Sequence, residues 1–364
     1  MEGKIKVSSD LSTKILTIGP DFRNHRGGVG AVIEVYSRYF EIFNFIPSYK
    51  VGSILYKCFV FILGLIKLFY TLLTNRVIKI IHIHGASQGS FYRKFIIFAI
   101  GKLIFRKKII YHIHGGGFQK FYENTNSLSK LLIKTLLSQC DIVICLSQAW
   151  FEYFNQNFKI RAIKILPNII DYPTIIKDIP KTDNITFLFL GLICDEKGIF
   201  DILKVIIKNK EHYKEKIKLL IGGNGETNRL KGLIEKHQIG DIVEFLGWIS
   251  QEKKVDVLNK TDIYILPSYR EGLPISILEA MSYGKAIIST NVGGIPEIVI
   301  NIKNGLIIEP GNMEQLEQSL WFFLEHPELI KEYGALSEHM AQNYLPHAVV
   351  KKLSGIYETL LLNE

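Results

Sequence analysis

The stretch Thr261–Thr290, TDIYILPSYREGLPISILEAMSYGKAIIST, shows the alternation on which the chain is built. An apolar run, Thr261–Ser268, leads through a polar loop into a helical segment, and a second apolar run follows at Lys285–Thr290. Short apolar runs rich in β-branched residues are typical of strands buried on both faces of a parallel sheet, which helices connect. The stretch therefore predicts a strand–helix–strand unit of a doubly wound α/β sheet.

The same alternation occurs in two separate sets. The first set predicts helices at 29–44, 52–74, 91–105, 127–138 and 148–156 between strands at Lys14–Pro20, Val77–Gly85, Lys108–Gly117, Asp141–Ser147 and Ala162–Asn168. The second set predicts strands at Asn184–Ile193, Lys216–Gly225, Asp241–Ile249, Thr261–Ser268, Lys285–Thr290 and Gly305–Pro310. Ligands bind at the carboxyl ends of strands in such sheets, so we predict two Rossmann-like domains facing a cleft.

The segment Pro167–Asn184 separates the two sets. It contains three prolines and no clear hydrophobic period, which is typical of a linker. We therefore predict a first domain at 1–172 and a second at 173–344.

The charge of +9 is unevenly distributed along the chain. Residues 1–175 carry 23 Lys and Arg against 9 Asp and Glu, a net of +14, whereas residues 176–364 carry 21 against 26, a net of −5. A strongly basic domain is typical of a protein that faces a polyanion or an anionic membrane. We expect the membrane surface and no nucleic-acid partner.

The four cysteines give no metal or disulfide pattern, because none forms a C-x-x-C pair. Their spacing favours a reducing, cytoplasmic setting. The first 20 residues contain no long apolar core, so no signal peptide is predicted.

The segment Val51–Leu73 is long enough to span a bilayer, but Lys57 and Lys67 interrupt it. With Tyr56, Gly64 and Thr71, the lysines share one side of the predicted helix. The favoured interpretation is a helix buried in the core of the first domain. A helix lying in the membrane plane and a true transmembrane span are the two alternatives.

Two HIHG sequences, His82–Gly85 and His112–Gly115, end predicted strands. We expect one histidine at each strand end to bind a polar ligand, with His114 before Gly115-Gly116-Gly117 the best candidate, whereas His82 and His112 are expected in the core. A zinc site is disfavoured, because neither cysteine nor carboxylate accompanies the histidines at ligand spacing.

Glycines follow several predicted strands. Gly28, in NHRGGVGAV (Asn24–Val32), begins a helix whose free N–H groups suit an anion, although a plain turn is the alternative. The spacing is not G-x-G-x-x-G, which argues against a dinucleotide oxidoreductase. Gly191, Gly223 and Gly247 at successive strand ends leave room for a flat base and ribose, and Lys197 at a helix start suits a phosphate, although a solvated charged turn is possible.

Glu271 and Glu279 flank a Gly-Leu-Pro turn and the helix that follows it. A carboxylate can accept hydrogen bonds from two neighbouring hydroxyls, which ribose and hexoses offer. The N–H groups of Gly272 and Leu273 are expected to point at a diphosphate over the helix N-terminus. This pattern predicts a site for a nucleotide diphosphate sugar.

The motifs together resemble the retaining GT-B-fold glycosyltransferases of family 4 (glycosyl transferases group 1) over roughly residues 14–360. The E-x7-E pair is the family's signature. The Gly-Gly loop, HGGG, PNIID, EKG, FLGW and NVGGIPEIV occur in the family's order. The tail Leu345–Glu364 is similar to the family's closing helix, which crosses back onto the first domain.

The resemblance implies roles at the matching positions. Glu279 would bind ribose hydroxyls, Glu271 would contact the donor sugar, and Lys197 would neutralise the leaving diphosphate. His114 would approach the transferred sugar, and Gly28 would close over the phosphates. The family usually has an arginine where this chain has Leu192, and either Arg270 or Arg26 could replace it.

The resemblance implies a retaining hexosyltransferase that uses a nucleotide diphosphate sugar, with uridine the favoured base, and a glycan or polyprenyl-linked acceptor. Cell-surface polysaccharide synthesis, of the capsule or O-antigen kind, is the expected process. Neither metal nor other cofactor is expected, since the sequence has no D-x-D motif. The alternatives are a nucleotide-sugar 2-epimerase of the same fold and a non-catalytic partner subunit. The expected location is cytoplasmic, peripheral on the inner face of the plasma membrane.

Overall fold

The computed structural model describes residues 5–23, 27–176 and 184–362. It divides into two compact units, Met1–Asp171 with Tyr344–Glu364, and Tyr172–Asn343. Each unit contains one six-stranded sheet whose strands pair in parallel. The predicted pair of doubly wound α/β sheets is therefore confirmed.

The sheet of the first unit has the order β2-β1-β3-β4-β5-β6. Its strands are β1 (Ile15–Pro20), β2 (Phe45–Tyr49), β3 (Ile80–Gly85), β4 (Lys108–Ile113), β5 (Ile142–Cys145) and β6 (Ile163–Ile165). The helices between them are α1 (Ser9–Ser12), α2 (Gly28–Arg38), α3 (Ile54–Thr74), α4 (Gly89–Ala99), α5 (Phe118–Asn124), α6 (Ser127–Gln139) and α7 (Gln148–Asn157), and a π-helical turn at Ile100–Ile104 extends α4.

Strand β2 was not predicted from the sequence, which placed a helix at 29–44; α2 ends at Arg38. The strand is short, contains Pro47, and lies at the sheet edge, where it pairs with β1 alone. Proline is tolerated there because an edge strand does not need every backbone N–H for pairing.

The prediction that Val51–Leu73 is a buried core helix is wrong. Only Gly64, Leu68 and Leu72 of α3 are buried, one turn apart on a single narrow face. A Cβ on Gly64 would lie 2.7 Å from the carbonyl oxygen of Pro47, so glycine lets the helix approach β2 closely. Exposed large apolar residues cover the rest of the helix: Ile54, Leu55, Tyr56, Phe59, Ile62, Leu63, Ile66, Phe69, Tyr70 and Leu73.

The sheet of the second unit has the order β12-β11-β10-β7-β8-β9. Its strands are β7 (Ile185–Leu190), β8 (Ile217–Gly222), β9 (Val243–Gly247), β10 (Ile263–Leu266), β11 (Ala286–Thr290) and β12 (Gly305–Ile308). Its helices are α8 (Ile199–Lys208), α9 (Lys210–Tyr213), α10 (Thr227–His237), α11 (Gln251–Lys260), α12 (Ile275–Ser282), α13 (Ile295–Ile298), α14 (Met313–Glu325) and α15 (Pro327–Ala341). Each of the six predicted strands forms.

The last helix, α16 (Pro346–Leu362), belongs to the first unit. Its buried side includes Val349, Leu353 and Tyr357, and Lys108 Nζ donates to the carbonyl oxygen of Leu360 at 2.8 Å. The chain before the second unit is also more buried than a linker would be. Asn168, Ile169 and Ile170 are buried, so a linker cannot begin at Pro167. Residues 177–183 of that segment lie outside the described residues.

Candidate active site

Three predicted glycines lie together at the carboxyl edge of the second sheet. Gly191, Gly223 and Gly247 follow or end the neighbouring strands β7, β8 and β9. Gly223 N donates to the Gly247 carbonyl oxygen at 2.8 Å. A Cβ on Gly223 would lie 1.9 Å from the Gly191 carbonyl oxygen, so a larger residue would separate the strand ends. Glycine at Gly223 thus lets these strand ends lie close together.

Lys197 and Glu271 lie beside this edge and contact each other. Lys197 Nζ donates to Glu271 Oε1 at 2.5 Å, and Ser268 Oγ donates to the same oxygen at 2.8 Å. The Glu271 side chain is 10% exposed and that of Lys197 28%. The structure therefore brings the two predicted catalytic residues of this unit together, fixed by a serine that the sequence analysis did not identify.

Backbone contacts hold the two loops in place. Gly198 has a φ of +72°, and a Cβ there would lie 2.1 Å from the Pro267 carbonyl oxygen. On the other side, Gly294 N donates to the Gly272 carbonyl oxygen at 2.7 Å. The glycines of EKG and NVGG therefore allow neighbouring loops to pack directly against the segment that carries Glu271.

Glu279 lies on α12, and its Oε1 accepts a hydrogen bond from Lys254 Nζ of α11 at 2.5 Å. Both side chains are mostly buried, at 18% and 20% exposed. A carboxylate has about four lone-pair positions, so this bond leaves acceptor capacity for a diol. Sequence reasoning missed Lys254, because 25 residues separate it from Glu279 and no motif links the two.

Arg270 and Arg26 are the two arginines that could replace the cation missing at Leu192. The Arg270 guanidinium is bonded to the Glu196 carboxylate, so it would have to leave that partner to reach a phosphate. Arg26 lies outside the described residues. Leu192 itself is 49% exposed.

In the first unit, Gly28 is the first residue of α2, at a helix N-terminus as predicted. His114 follows β4 and is partly exposed. Both of its ring nitrogens are bonded: Nδ1 lies 3.1 Å from Asn168 Oδ1, and Nε2 lies 2.8 Å from His84 Nδ1. A ligand bonded to the His114 ring must therefore displace one of these partners.

His84 is 1% exposed, which corrects the expectation that one histidine at each strand end binds a ligand. An amide oxygen can only accept, so His114 Nδ1 carries the proton, and the neutral ring accepts at Nε2 from His84 Nδ1–H. Burial lowers the pKa of His114 to about 4, although Asn168 opposes this shift. His84 is thus buried beneath His114 and holds the His114 ring in place by a hydrogen bond.

His82 and His112 form a second bonded pair, as buried as predicted. His82 Nε2 lies 3.3 Å from His112 Nδ1, and His82 Nδ1 lies 2.7 Å from the Tyr357 hydroxyl of α16. The two pairs stack, with ring centroids 4.3 Å apart for His82 and His84 and 4.0 Å apart for His112 and His114. We call these four residues the histidine array.

Nitrogens of His82, His84 and His112 lie within 4.8 Å of one another, as a metal site would need. Metal ligation requires lone pairs that converge on one point. In the array, four nitrogens of the two pairs instead bond to each other across the strands, whereas Nε2 of His84 and Nε2 of His112 are buried without a partner among the described residues.

We predict that the first unit loses stability as the pH falls below about 6.5. Burial lowers the pKa of His82 to about 3 and that of His114 to about 4, and those of His84 and His112 also fall. Between these values and 6.5 only the unfolded chain binds protons. Each neutral histidine should lower the free energy of unfolding by about 1.4 kcal/mol for each pH unit below 6.5. Hydrogen exchange of β3 and β4 amides at pH 7.5 and 5.5 measures this loss.

The matched control is His339→Gln, which removes an exposed histidine of the second unit and should leave the pH dependence unchanged. His84→Gln should reduce the slope by about one proton. Equal protection of the β3 and β4 amides at both pH values would contradict a neutral array.

Comparison with known proteins agrees with this architecture. The family model Glycosyl transferases group 1 matches residues 171–340, and Glycosyltransferase Family 4 matches residues 34–172. An uncharacterised glycosyltransferase of Methanocaldococcus jannaschii is 30% identical over 282 residues, which are 72% of this chain and 71% of that protein.

Two further proteins are similar to parts or all of the chain. The N,N'-diacetylbacillosaminyl-diphospho-undecaprenol alpha-1,3-N-acetylgalactosaminyltransferase of Campylobacter jejuni is 28% identical over 169 residues, 46% of this chain and 43% of that protein. The solved structure of Anabaena HepE in complex with UDP superposes with a TM-score of 0.74 at 17% identity, covering 95% of this chain and all of that one. The chain has the GT-B fold and belongs to the family of group 1, family 4 glycosyltransferases.

Proposed function

We propose that this glycosyltransferase transfers a hexose from a uridine diphosphate sugar to a glycan or polyprenyl-linked acceptor, with retention of the anomeric configuration. The observation that carries the proposal is the cluster of Lys197, Glu271 and Ser268, next to the helix that bears Glu279. A cation and two carboxylates are the groups that suit a diphosphate and two diols, and this supports the proposal.

Each part has a distinct task in this proposal. Glu279 holds the ribose diol, and the glycines at the ends of β7, β8 and β9 make room for ribose and base. Glu271 accepts hydrogen bonds from the donor sugar. Lys197 moves from Glu271 to a diphosphate oxygen, whose negative charge grows as the bond to the sugar breaks. The acceptor hydroxyl then attacks from the side that the diphosphate leaves.

We propose that no metal is needed for this step. The cation is supplied by Lys197, and the N-terminus of α12, which follows Gly272 and Leu273, adds the positive end of the helix dipole. Metal-dependent donors are instead held through aspartates that bind the ion, and the sequence offers no D-x-D motif.

The relatives support the choice of donor and acceptor. HepE was crystallised with UDP, and the Campylobacter enzyme acts on a sugar linked to diphospho-undecaprenol, as its name states. A capsule-like or O-antigen-like polysaccharide built on such a carrier is the product that we propose.

A thermal-shift panel of nucleotide sugars tests the donor. A UDP-sugar far above its Kd should stabilise the second unit by a few kcal/mol, as mass action requires, whereas GDP- and ADP-sugars at the same concentration should not.

Turnover with donor alone separates the proposed transferase from its two alternatives. Isomerised sugar formed without acceptor would identify an epimerase, and tight UDP binding without transfer to any acceptor would identify a partner subunit.

We further propose that the first unit attaches to the inner face of the plasma membrane through α3. By length and composition this 21-residue helix could cross a bilayer. Its contact with β2 through Gly64, Leu68 and Leu72 favours an orientation along the surface instead. Phe69 packs against Phe105 at 5.1 Å, so the exposed Leu103 and Ile104 continue the apolar surface. Buried apolar area and nearby cations both stabilise such an attachment.

The expected result is that the protein sediments with phosphatidylglycerol vesicles at low salt, and less with neutral vesicles. Replacing Ile62 and Ile66 by serine should lower the membrane partition coefficient by up to about 10³-fold, because each removes roughly 2 kcal/mol of stabilisation by buried apolar area. The control replaces Ile300 and Ile302, exposed apolar residues of the second unit, in the same way. Equal sedimentation of both double variants would exclude α3 as the attachment site.

A further inference from the structure

Two cations lie beside Tyr49, the last residue of β2, and a third lies beside the preceding residue, Ser48. Arg93 Cζ lies 4.9 Å from the centroid of the Tyr49 ring, and Lys57 Nζ lies 5.8 Å from it. Lys94, beside Arg93 on α4, is 1% exposed, and its ammonium group donates to Ser48 Oγ. We call Lys57, Arg93 and Lys94 the Tyr49 cation cluster.

These cations have no carboxylate partner in the described ranges 5–23, 27–176 and 184–362, where no Asp or Glu oxygen lies within 4.0 Å of their nitrogens. Residues 42–122 contain 12 Lys and Arg and no Asp or Glu. In addition, Arg93 Nε is buried and lacks a hydrogen-bond partner. Buried polar groups are normally hydrogen-bonded, so the unpartnered Arg93 Nε favours an acceptor at this place.

The cluster lies at the edge of the first sheet where ligands bind in this kind of fold. Tyr49 is opposite Pro20, and both residues end their strands. Lys57 is in the first turn of α3, whose exposed side is apolar, and Arg93 and Lys94 are on the helix that follows β3. The cation cluster therefore lies at the N-terminal end of an exposed apolar helix.

Burial first, and the charge of Arg93 second, lower the pKa of Lys94 to about 7. An anion beside Arg93 would reverse the second effect and favour the charged lysine. The planar guanidinium of Arg93 suits the paired oxygens of a phosphate, and Lys57 can add a point charge.

We infer that Lys57 and Arg93, with Lys94 behind them, bind the phosphate or diphosphate of a lipid-linked acceptor whose hydrocarbon chain lies along the exposed face of α3. This inference rests on the proposed function, since it names the acceptor of the same enzyme. A phosphate ester with a hydrocarbon chain is the class of ligand that matches two accessible cations, Lys57 and Arg93, next to an apolar surface.

The test measures binding of farnesyl diphosphate, inorganic pyrophosphate and farnesol by calorimetry. Wild-type protein should bind farnesyl diphosphate most tightly, because that probe alone has both a diphosphate and a hydrocarbon chain. Arg93→Met should weaken this binding about 10- to 100-fold, the usual loss for a charge-assisted contact. Lys57→Gln should weaken it about tenfold, and Arg93→Lys should retain more affinity than Arg93→Met.

The matched control is Lys79→Gln, which removes an exposed charge just before β3, and UDP binding reports on the second unit in every variant. Unchanged farnesyl diphosphate affinity in Arg93→Met with normal UDP binding would overturn the inference and leave the donor site intact. Failure of the wild-type protein to bind UDP would instead overturn the proposed function. If Arg93→Met lost only binding to phosphatidylglycerol vesicles, the cluster would be a headgroup site, which also overturns the inference.

Discussion

Replacing Lys197 by alanine is expected to lower kcat at least 10²-fold, on the scale of losing one oxyanion donor. Lys197 Nζ lies 2.5 Å from Glu271, within reach of the segment Gly272–Leu273 where the diphosphate is proposed to lie. The effect on kcat should exceed the effect on donor binding, because charge on the leaving oxygen grows only as the glycosidic bond breaks. Leu192 supplies no second cation, which makes the lysine more important.

Single-turnover kinetics with saturating donor separate the two effects. Lys208→Ala is the matched control, since it removes a lysine of the same unit that is 70% exposed and paired with Glu317. Retention of more than a third of the wild-type rate by Lys197→Ala would show that another group stabilises the diphosphate.

Replacing Glu279 by alanine should weaken donor binding by about 2–3 kcal/mol, which is roughly 30- to 150-fold in Kd. The ribose diol loses its charged acceptor, and Lys254 loses its ion-pair partner in a mostly buried position. Calorimetry with UDP measures the loss.

Three further variants separate the contributions to that loss. Glu279→Gln keeps one acceptor oxygen and should fall between wild type and Glu279→Ala. Lys254→Gln tests whether the lysine only orients the carboxylate, in which case UDP binding weakens much less. Glu235→Ala removes an exposed carboxylate of α10 and should change nothing. Affinity within twofold of wild type for Glu279→Ala would refute the ribose assignment.

Much of the second unit can be predicted from the sequence because its determinants are local. The apolar runs that predict the inner strands β7, β10 and β11 are buried on both faces, so they differ clearly from the helices between them. Glu271, Gly272 and Glu279 are within nine residues, and the loop and helix that carry them are one local unit. Their mutual placement follows from that unit alone.

Contacts between distant segments could not be predicted in the same way. The bonds from Lys254 to Glu279 and from Tyr357 to His82 join helices to partners far away in the chain. Such pairs depend on how elements pack, which hydrophobic periodicity does not report.

Helix α3 shows that apolar composition alone does not predict whether a helix is buried. A core helix and a helix that faces lipid have the same apolar composition, so composition alone favoured burial. The structure shows that α3 is not a core helix, because only the face that includes Gly64 is buried. The polar side noted in the sequence, with Lys57, Gly64 and Thr71, is close to the face that contacts the protein.

Time-resolved proton NMR of the anomeric signals tests the central proposal most directly. The protein is supplied with a UDP-α-hexose and a short-chain polyprenyl diphosphate sugar as acceptor, in the absence of added metal and with a chelator present. We expect UDP and an α-linked product to appear together at equal rates, and both to depend on Lys197. Initial formation of a β-linked product would contradict retention, and free or isomerised hexose formed at the same rate without acceptor would contradict glycosyl transfer to an acceptor.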